Sequence, residues 1–245
     1  LKSTPRIRTV EKAKSLYPLN RFPKGFPIAL GREIVYRLAT IETPTIEGPE
    51  WEKIFAGSIG ADWIPSNVGL DDVQMGNTAW GVKSVKNGNP FRARKVRIIS
   101  GRNNPEYSFD EIADTDAGIG EQVLKIWNSR VEGVRSKFAN LRTIVFIKSD
   151  DLTMFAVFEM NTELYRPGRF RWERNKQGNL EGIDVDSGEH RFTWQRHGSQ
   201  FTILEEVPED RLLFMVRKPE KIPLAETLRR VGFDPCWVTV VDPED

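Results

Sequence analysis

Asp71-Asp72-Val73, followed by Ala79-Trp80-Gly81-Val82-Lys83-Ser84-Val85, is the stretch whose reading decides the fold. The second segment alternates as a strand does. With a side-chain period of two, Trp80, Val82, Ser84 and Lys86 share one face, and Gly81, Lys83 and Val85 the other. Trp80 and Val82 are the core pair, so Lys83 points to the opposite face. Asp72 lies across a turn, where an adjacent antiparallel strand would set it beside that lysine. Upstream, Pro49 suits the first turn of a helix that Gly60 ends. Trp51, Ile54, Phe55 and Ile59 give that helix an apolar face, and it carries Glu52.

Working outward, Ile28 to Ile41 is a further helix with Ile34, Leu38 and Ile41 at helical spacing, broken by Pro44. Residues 1–27, punctuated by Pro5, Pro18, Pro23 and Pro27, read as a basic arm or irregular layer. Asn67 to Asp72 is rich in turn residues. Asn87-Gly88-Asn89-Pro90 is a turn between the Trp80 strand and a strand at Val96–Ile99. Asp116 is placed to cap a long helix reaching about Phe138, with Ile119, Val123, Ile126, Trp127, Val131 and Val134 inward. Leu141–Ile147 and Met154–Phe158 read as buried strands. His190 to Ile203 reads as a hairpin about His197-Gly198-Ser199. Leu212–Val216 and Trp237–Val241 read as later strands, and Leu224–Val231 as a short helix. Helices, a βαβ centre and a strand-rich C-terminal half predict a mixed α/β fold with a central sheet flanked by helices. The 245 residues fit one domain, 1–245, with 160–245 as its strand-rich part.

Composition narrows the chemistry. Cys236 is the one cysteine, which excludes an intramolecular disulfide and a cysteine-based zinc site; His190 and His197 are the only histidines. A metal would be held by carboxylate oxygens, which favours a hard ion such as Mg²⁺. Gly-x-Gly-x-x-Gly, Walker A, Gly-x-Ser-x-Gly and His-Glu-x-x-His motifs are absent, so no nucleotide cofactor is expected. No run approaches the roughly 18 apolar residues of a membrane span, and Leu1-Lys2-Ser3-Thr4-Pro5-Arg6 lacks a signal-peptide core. The expectation is a cytoplasmic protein.

The net charge of +1 points to no partner, but its distribution does. Arg92, Arg94, Lys95, Arg97 and Arg102 cluster without an intervening acid. Arg166, Arg169, Arg171, Arg174 and Lys176 form a second group, interleaved with Phe170 and Trp172. Local basic patches on a neutral whole suit contacts to phosphates, although solvated strand faces would look the same. The hairpin carries Arg191, Gln195, Arg196, His197 and Gln200, side chains of the kind that pair with base edges. Asn103 and Asn104 form a polar loop that could also meet phosphate.

Pro49-Glu50-Trp51-Glu52-Lys53-Ile54-Phe55, Gly60-Ala61, Asp71-Asp72-Val73 and Trp80-Gly81-Val82-Lys83-Ser84-Val85 together resemble the PD-(D/E)XK nuclease superfamily, which includes many type II restriction endonucleases. The likeness covers Pro49 to Lys86; beyond it only the order of elements is similar. It implies a restriction-endonuclease-like fold and Mg²⁺-dependent hydrolysis of phosphodiester bonds in double-stranded DNA at a short specific sequence. It also implies a homodimer acting on a palindrome. Asp72 matches the motif aspartate, with Asp71 as the alternative, Lys83 the motif lysine and Glu52 the helix glutamate. Gly81 departs from the pattern, standing where the family has Glu, Asp or Gln. Three explanations follow. The carboxylate has moved to Glu106, Glu111 or Glu121, with Glu121 the candidate metal ligand beside Asp72 and Glu52. Or the register is shifted to Ser84-Val85-Lys86. Or the site is inactive, leaving a DNA-binding protein of the same fold. An interaction protein with an acidic partner is the reading outside this family.

Overall fold

The computed structural model describes residues 16–65 and 69–241. Residues 1–15 of the basic arm and residues 67–68 of the turn before Asp72 lie outside the described residues. Pro27 and Pro49 each stand in the first turn of a helix, where a missing N–H breaks no bond. These helices are α1 (Phe26–Thr40) and α2 (Pro49–Ile59). They are followed by β1 (Asp62–Trp63), β2 (Val73–Met75), β3 (Thr78–Lys86) and β4 (Lys95–Arg102). The long helix α3 (Asp116–Arg135) leads to β5 (Asn140–Lys148) and β6 (Met154–Asn161). Then come β7 (Phe170–Arg174), β8 (Leu180–Asp184), β9 (His190–Gln195), β10 (Gln200–Glu206), β11 (Leu212–Met215) and α4 (Leu224–Val231).

The fold is mixed α/β, with the strands in two sheets. The first has the order β1-β2-β3-β5-β6-β11. Only β3 and β5 run parallel in it, because α3 lies on the crossover between them, and every other pair is antiparallel. The second is wholly antiparallel, in the order β4-β10-β9-β8-β7. The turn at Asn87–Pro90 therefore does not close a hairpin: the chain leaves the first sheet after β3 and enters the second as β4.

Two cores fix the layering. On one face of the first sheet, Trp80, Val82, Ile144 and Phe146 pack against Leu30 and Ile34 of α1 and Trp51 and Phe55 of α2. The Trp51 and Phe146 rings stack at 4.3 Å. On the other face, Val123, Trp127, Val131 and Val134 of α3 meet Leu70, Ala79 and Leu141 on one side and Trp172, Phe192 and Phe201 of the second sheet on the other. Helix α3 is thus a spacer clamped between two sheets. Its approach to β7 needs Gly120, since a Cβ there would lie 2.1 Å from the Trp172 ring.

Several expected elements differ in detail. The α3 N-cap is Thr115, whose hydroxyl accepts from Gly118 N–H at 3.1 Å. Asp116 instead pairs with Arg174 at 2.6 Å. Trp237–Val241 is not a strand: Pro235–Trp237 forms a 3-10 turn closed by Asp234, and the chain continues without regular structure. Among the described residues the five have no partner strand, and Trp237, Val238, Val240 and Val241 stay exposed. Helix α4 is at its expected place but buries none of its residues. Among the described residues no helix is long and apolar enough to cross a membrane.

The segment at residues 16–25 is held by a buried charge. The Glu159 carboxylate on β6 accepts from Trp80 Nε1 at 2.6 Å, Tyr17 Oη at 2.9 Å and Arg142 Nη1 at 2.9 Å. Arg142 also donates to Tyr17 O, and Glu159 N–H donates to Asn20 Oδ1. Removing one member of such a pair strands the other charge in the core, at a cost of about 3–5 kcal/mol. Glu159→Ala is expected to lower unfolding stability in urea by about that much. A loss below about 1 kcal/mol, the range of a surface pair, would show that Arg142 reaches water without help.

Candidate active site

Register places the candidate site on the α3 side of the first sheet. Val73 pairs with Trp80, so Asp72, one residue before β2, falls opposite Gly81. Asp72, Gly81 and Lys83 then share the face away from Trp80, as period-two alternation requires. Lys86 is on the other face and pairs with Glu47 at 3.6 Å, so the shifted reading Ser84-Val85-Lys86 does not bring a lysine to Asp72.

Gly81 has a structural reason. A Cβ there would lie 3.1 Å from Leu70 Cα and 3.2 Å from Gly69 O. The backbone before β2 lies directly over β3 at this position. Lys83 fixes the same loop, its ammonium donating to Gly69 O at 3.1 Å. The position that would carry a strand carboxylate is filled by main chain.

Asp72 is 4% exposed, and one carboxylate oxygen accepts from Val82 N–H at 3.3 Å. Burial pushes its pKa up to about 6; the Lys83 charge works against this, while Glu52 and Asp71 add to it. Partial burial lowers the proton affinity of Lys83, with Asp72 opposing and the Arg130 cation reinforcing. Glu52, half-buried on α2, accepts from Trp63 Nε1 at 2.9 Å. Asp71 is 8% exposed, and its Oδ1 has no hydrogen-bond partner among the described residues. An orphaned buried carboxylate oxygen is costly unless a cation or water meets it.

Arg130 was not legible as a site residue. It stands on the inward face of α3, three residues after Trp127, and its guanidinium donates to Ser100 O at 2.7 Å and Asn103 Oδ1 at 3.0 Å. A Cβ on Gly69 would lie 3.9 Å from Lys83 Nζ and 4.0 Å from Arg130 Nη2, so both cations border one point beside Gly69. The one signal in the sequence is an arginine inside an apolar helical stripe.

The expected Mg²⁺ ligands divide. The Glu52 carboxylate acts electrostatically on Asp72. Glu121 is exposed on α3, and among the described residues no three His, Cys, Asp or Glu side chains converge as metal ligands, so it does not complete a set. Mg²⁺ often takes only one or two protein carboxylates, the rest being water and substrate phosphate. Asp72, ionised above about pH 6, and the unpartnered Asp71 oxygen are carboxylate donors of the kind that set uses.

The basic candidates also divide. Arg191 is half-buried, bonded to Leu204 O and Glu205, and braces β9 against β10 rather than facing outward. Arg169 pairs with Asp184 at 2.8 Å, and Arg171 pairs with Glu173. Asn103 is fully buried and so not free for phosphate; Asn104 caps the next turn by accepting from Glu106 N–H at 2.8 Å and lines the cleft with Arg102. Arg92 and Arg94 line a cavity of about 920 Å³ with Lys95 and Arg211. Arg102, Arg196 and His197 line another at the opposite end of β4. At about 3.3 Å per residue, Arg94 and Arg102 stand roughly 25 Å apart. Arg102, Gln200 and Gln195 are register partners across β4, β10 and β9.

A raised carboxyl pKa means the native state holds a proton that the unfolded chain has released. Asp72 therefore costs nothing below about pH 4, and its penalty grows through pH 6 and is complete above it. Asp72→Asn is expected to raise stability by about 1–3 kcal/mol at pH 7.5 and to lose that advantage near pH 4. Equal urea midpoints for both proteins at pH 7.5 would contradict the burial. Gly81→Ala is expected to destabilise by about 1–3 kcal/mol through overpacking; an unchanged melting temperature would mean the 69–70 loop yields freely. No protein-family model, curated protein or solved structure matches the chain.

Proposed function

We propose that the protein is a Mg²⁺-dependent endonuclease of the restriction-endonuclease-like kind, hydrolysing phosphodiester bonds in double-stranded DNA. The observation that carries this is the register that sets Asp72 and Lys83 on one face of neighbouring backbone segments, with the Asp72 carboxyl buried and raised to about 6 and Glu52 near enough to act on both electrostatically. The mixed sheet flanked by helices, with Lys83 on β3 and Asp72 one residue before the antiparallel β2, supports the reading.

Asp72, with Glu52, would hold Mg²⁺, which when bound polarises the phosphate and acidifies a water. Lys83 orients the attacking water and stabilises charge on the phosphate; its lowered proton affinity suits it to share the water's proton. Water adds to phosphorus, the bond to the leaving sugar oxygen breaks, and that oxygen takes up a proton. Arg130 is braced by Ser100 and Asn103 and adds positive potential near the same point. Arg102, Arg196 and His197 supply phosphate contacts further along the second sheet. A two-fold dimer on a palindrome belongs to this reading.

One observation favours a second reading. The Gly69–Leu70 backbone fills the place of the strand carboxylate, which suits a DNA-binding protein of the same fold that does not cleave.

Mixed-sequence duplex DNA with Mg²⁺ separates the two. Cleavage is expected, falling at least about a hundredfold in Asp72→Ala and in Lys83→Ala. The rate should rise with pH through about 6 as Asp72 ionises. Cleavage that survives the double substitution would sink the site. Salt-dependent binding without cleavage under any divalent ion would establish the second reading.

A further inference from the structure

The loop after β4 holds an aromatic ring where nothing in the fold needs one. Tyr107 is 90% exposed, and among the described residues no aromatic ring packs against it. Its backbone, by contrast, is tightly held. Pro105–Tyr107 is a 3-10 turn opened by the Asn104 cap, Tyr107 N–H bonds to Asn104 O at 3.3 Å, and Ser108 Oγ donates to the same carbonyl at 2.7 Å. Pro105 is buried beneath. A rigid turn thus presents a bare ring, the reverse of the usual surface tyrosine, which lays its ring on its neighbours.

The surroundings carry charge. Tyr107 lines a cleft of about 690 Å³ with Arg102, Arg196 and His197, and Glu106 is the acid among the described lining residues. The β9–β10 turn forms the far wall, with Ser199 held at positive φ and its carbonyl accepting from Asn103 N–H at 2.9 Å. Trp194 Nε1 donates to Asn103 O at 2.8 Å. Asn103 also accepts from Arg130, so the cleft is tied through one buried side chain to the cation beside Lys83.

We propose that this cleft binds an unpaired nucleotide next to the scissile phosphate, with its base stacked on Tyr107 and its phosphates on Arg102, Arg196 and His197. An aromatic ring among cations is how single strands are gripped without reading sequence, because every base has a π-face. Inside an intact duplex those faces are covered. The substrate class that follows is a duplex carrying a single-stranded end, flap or unstacked base. This rests on the nuclease reading of Asp72 and Lys83 and sharpens it.

Binding measured by fluorescence anisotropy in EDTA tests the cleft without cleavage. The probes are a blunt duplex, the same duplex with a short single-stranded tail, and one whose tail is abasic. The tailed duplex is expected to bind about tenfold tighter than the blunt one. Tyr107→Ala and the abasic tail should each abolish the preference, and Tyr107→Phe should keep it. Equal binding of blunt and tailed duplexes, or a preference that survives Tyr107→Ala, overturns the inference and leaves the nuclease reading standing. Failure to bind any of the three in EDTA also overturns the inference, while the nuclease reading is decided separately by the cleavage assay with Mg²⁺.

Discussion

The contact on which the rest of the site depends is the seat of the Gly69–Leu70 backbone on Gly81. A side chain at position 81 would push that segment away, since Leu70 Cα and Gly69 O lie 3.1 and 3.2 Å from where a Cβ would be. With the segment seated, Gly69 O receives the Lys83 ammonium, Leu70 plugs the core against Ala79 and Val123, and Asp72 is drawn in to accept from Val82 N–H. Burial then acts on both partners, lifting the proton affinity of the carboxyl and lowering that of the amine. The pair is moved toward the pH range in which catalytic acids and bases work, by packing more than by direct pairing.

The second dependence is on α3. It lies between two sheets, and Arg130 stands beside its apolar core residues. That arginine ties the last turn of β4 to the helix, and Asn103 ties the same place to β9 and β10. The second sheet is therefore tied by hydrogen bonds to the helix that carries Arg130. Arg102 and the hairpin tip at Arg196 and His197 gather at the end of β4 nearest the Arg130 contacts. Arg92 and Arg94 mark the other end.

Alternation and capping signals carried much of the fold. Trp80 and Val82 as a core pair dictated the face of Lys83, and Pro49 marked a helix start, whereas Pro27, read as part of the arm, lies inside the first turn of α1. What was not legible depended on distant partners. Nothing in Val96–Ile99 says that β4 pairs with β10, about a hundred residues later, instead of returning beside β3. Trp237–Val241 has strand composition but no neighbour to pair with, and propensity alone makes no strand. Within the candidate site, the shared face of Asp72 and Lys83 was readable from alternation. Arg191 looked like a base reader until Glu205 and Leu204 were seen to hold it, and Gly81 looked like a lost ligand until the backbone above it was seen.

The central claim is that Asp72 and Lys83 address one phosphate together through a hard cation. A crystal structure of the protein with duplex DNA and Mg²⁺ measures this directly. The account predicts an Asp72 carboxylate oxygen about 2.1 Å from the ion, with a backbone phosphate shared between the ion and the Lys83 ammonium. An ion bound away from Asp72, or a phosphate backbone that passes the second sheet without reaching Lys83, would contradict it.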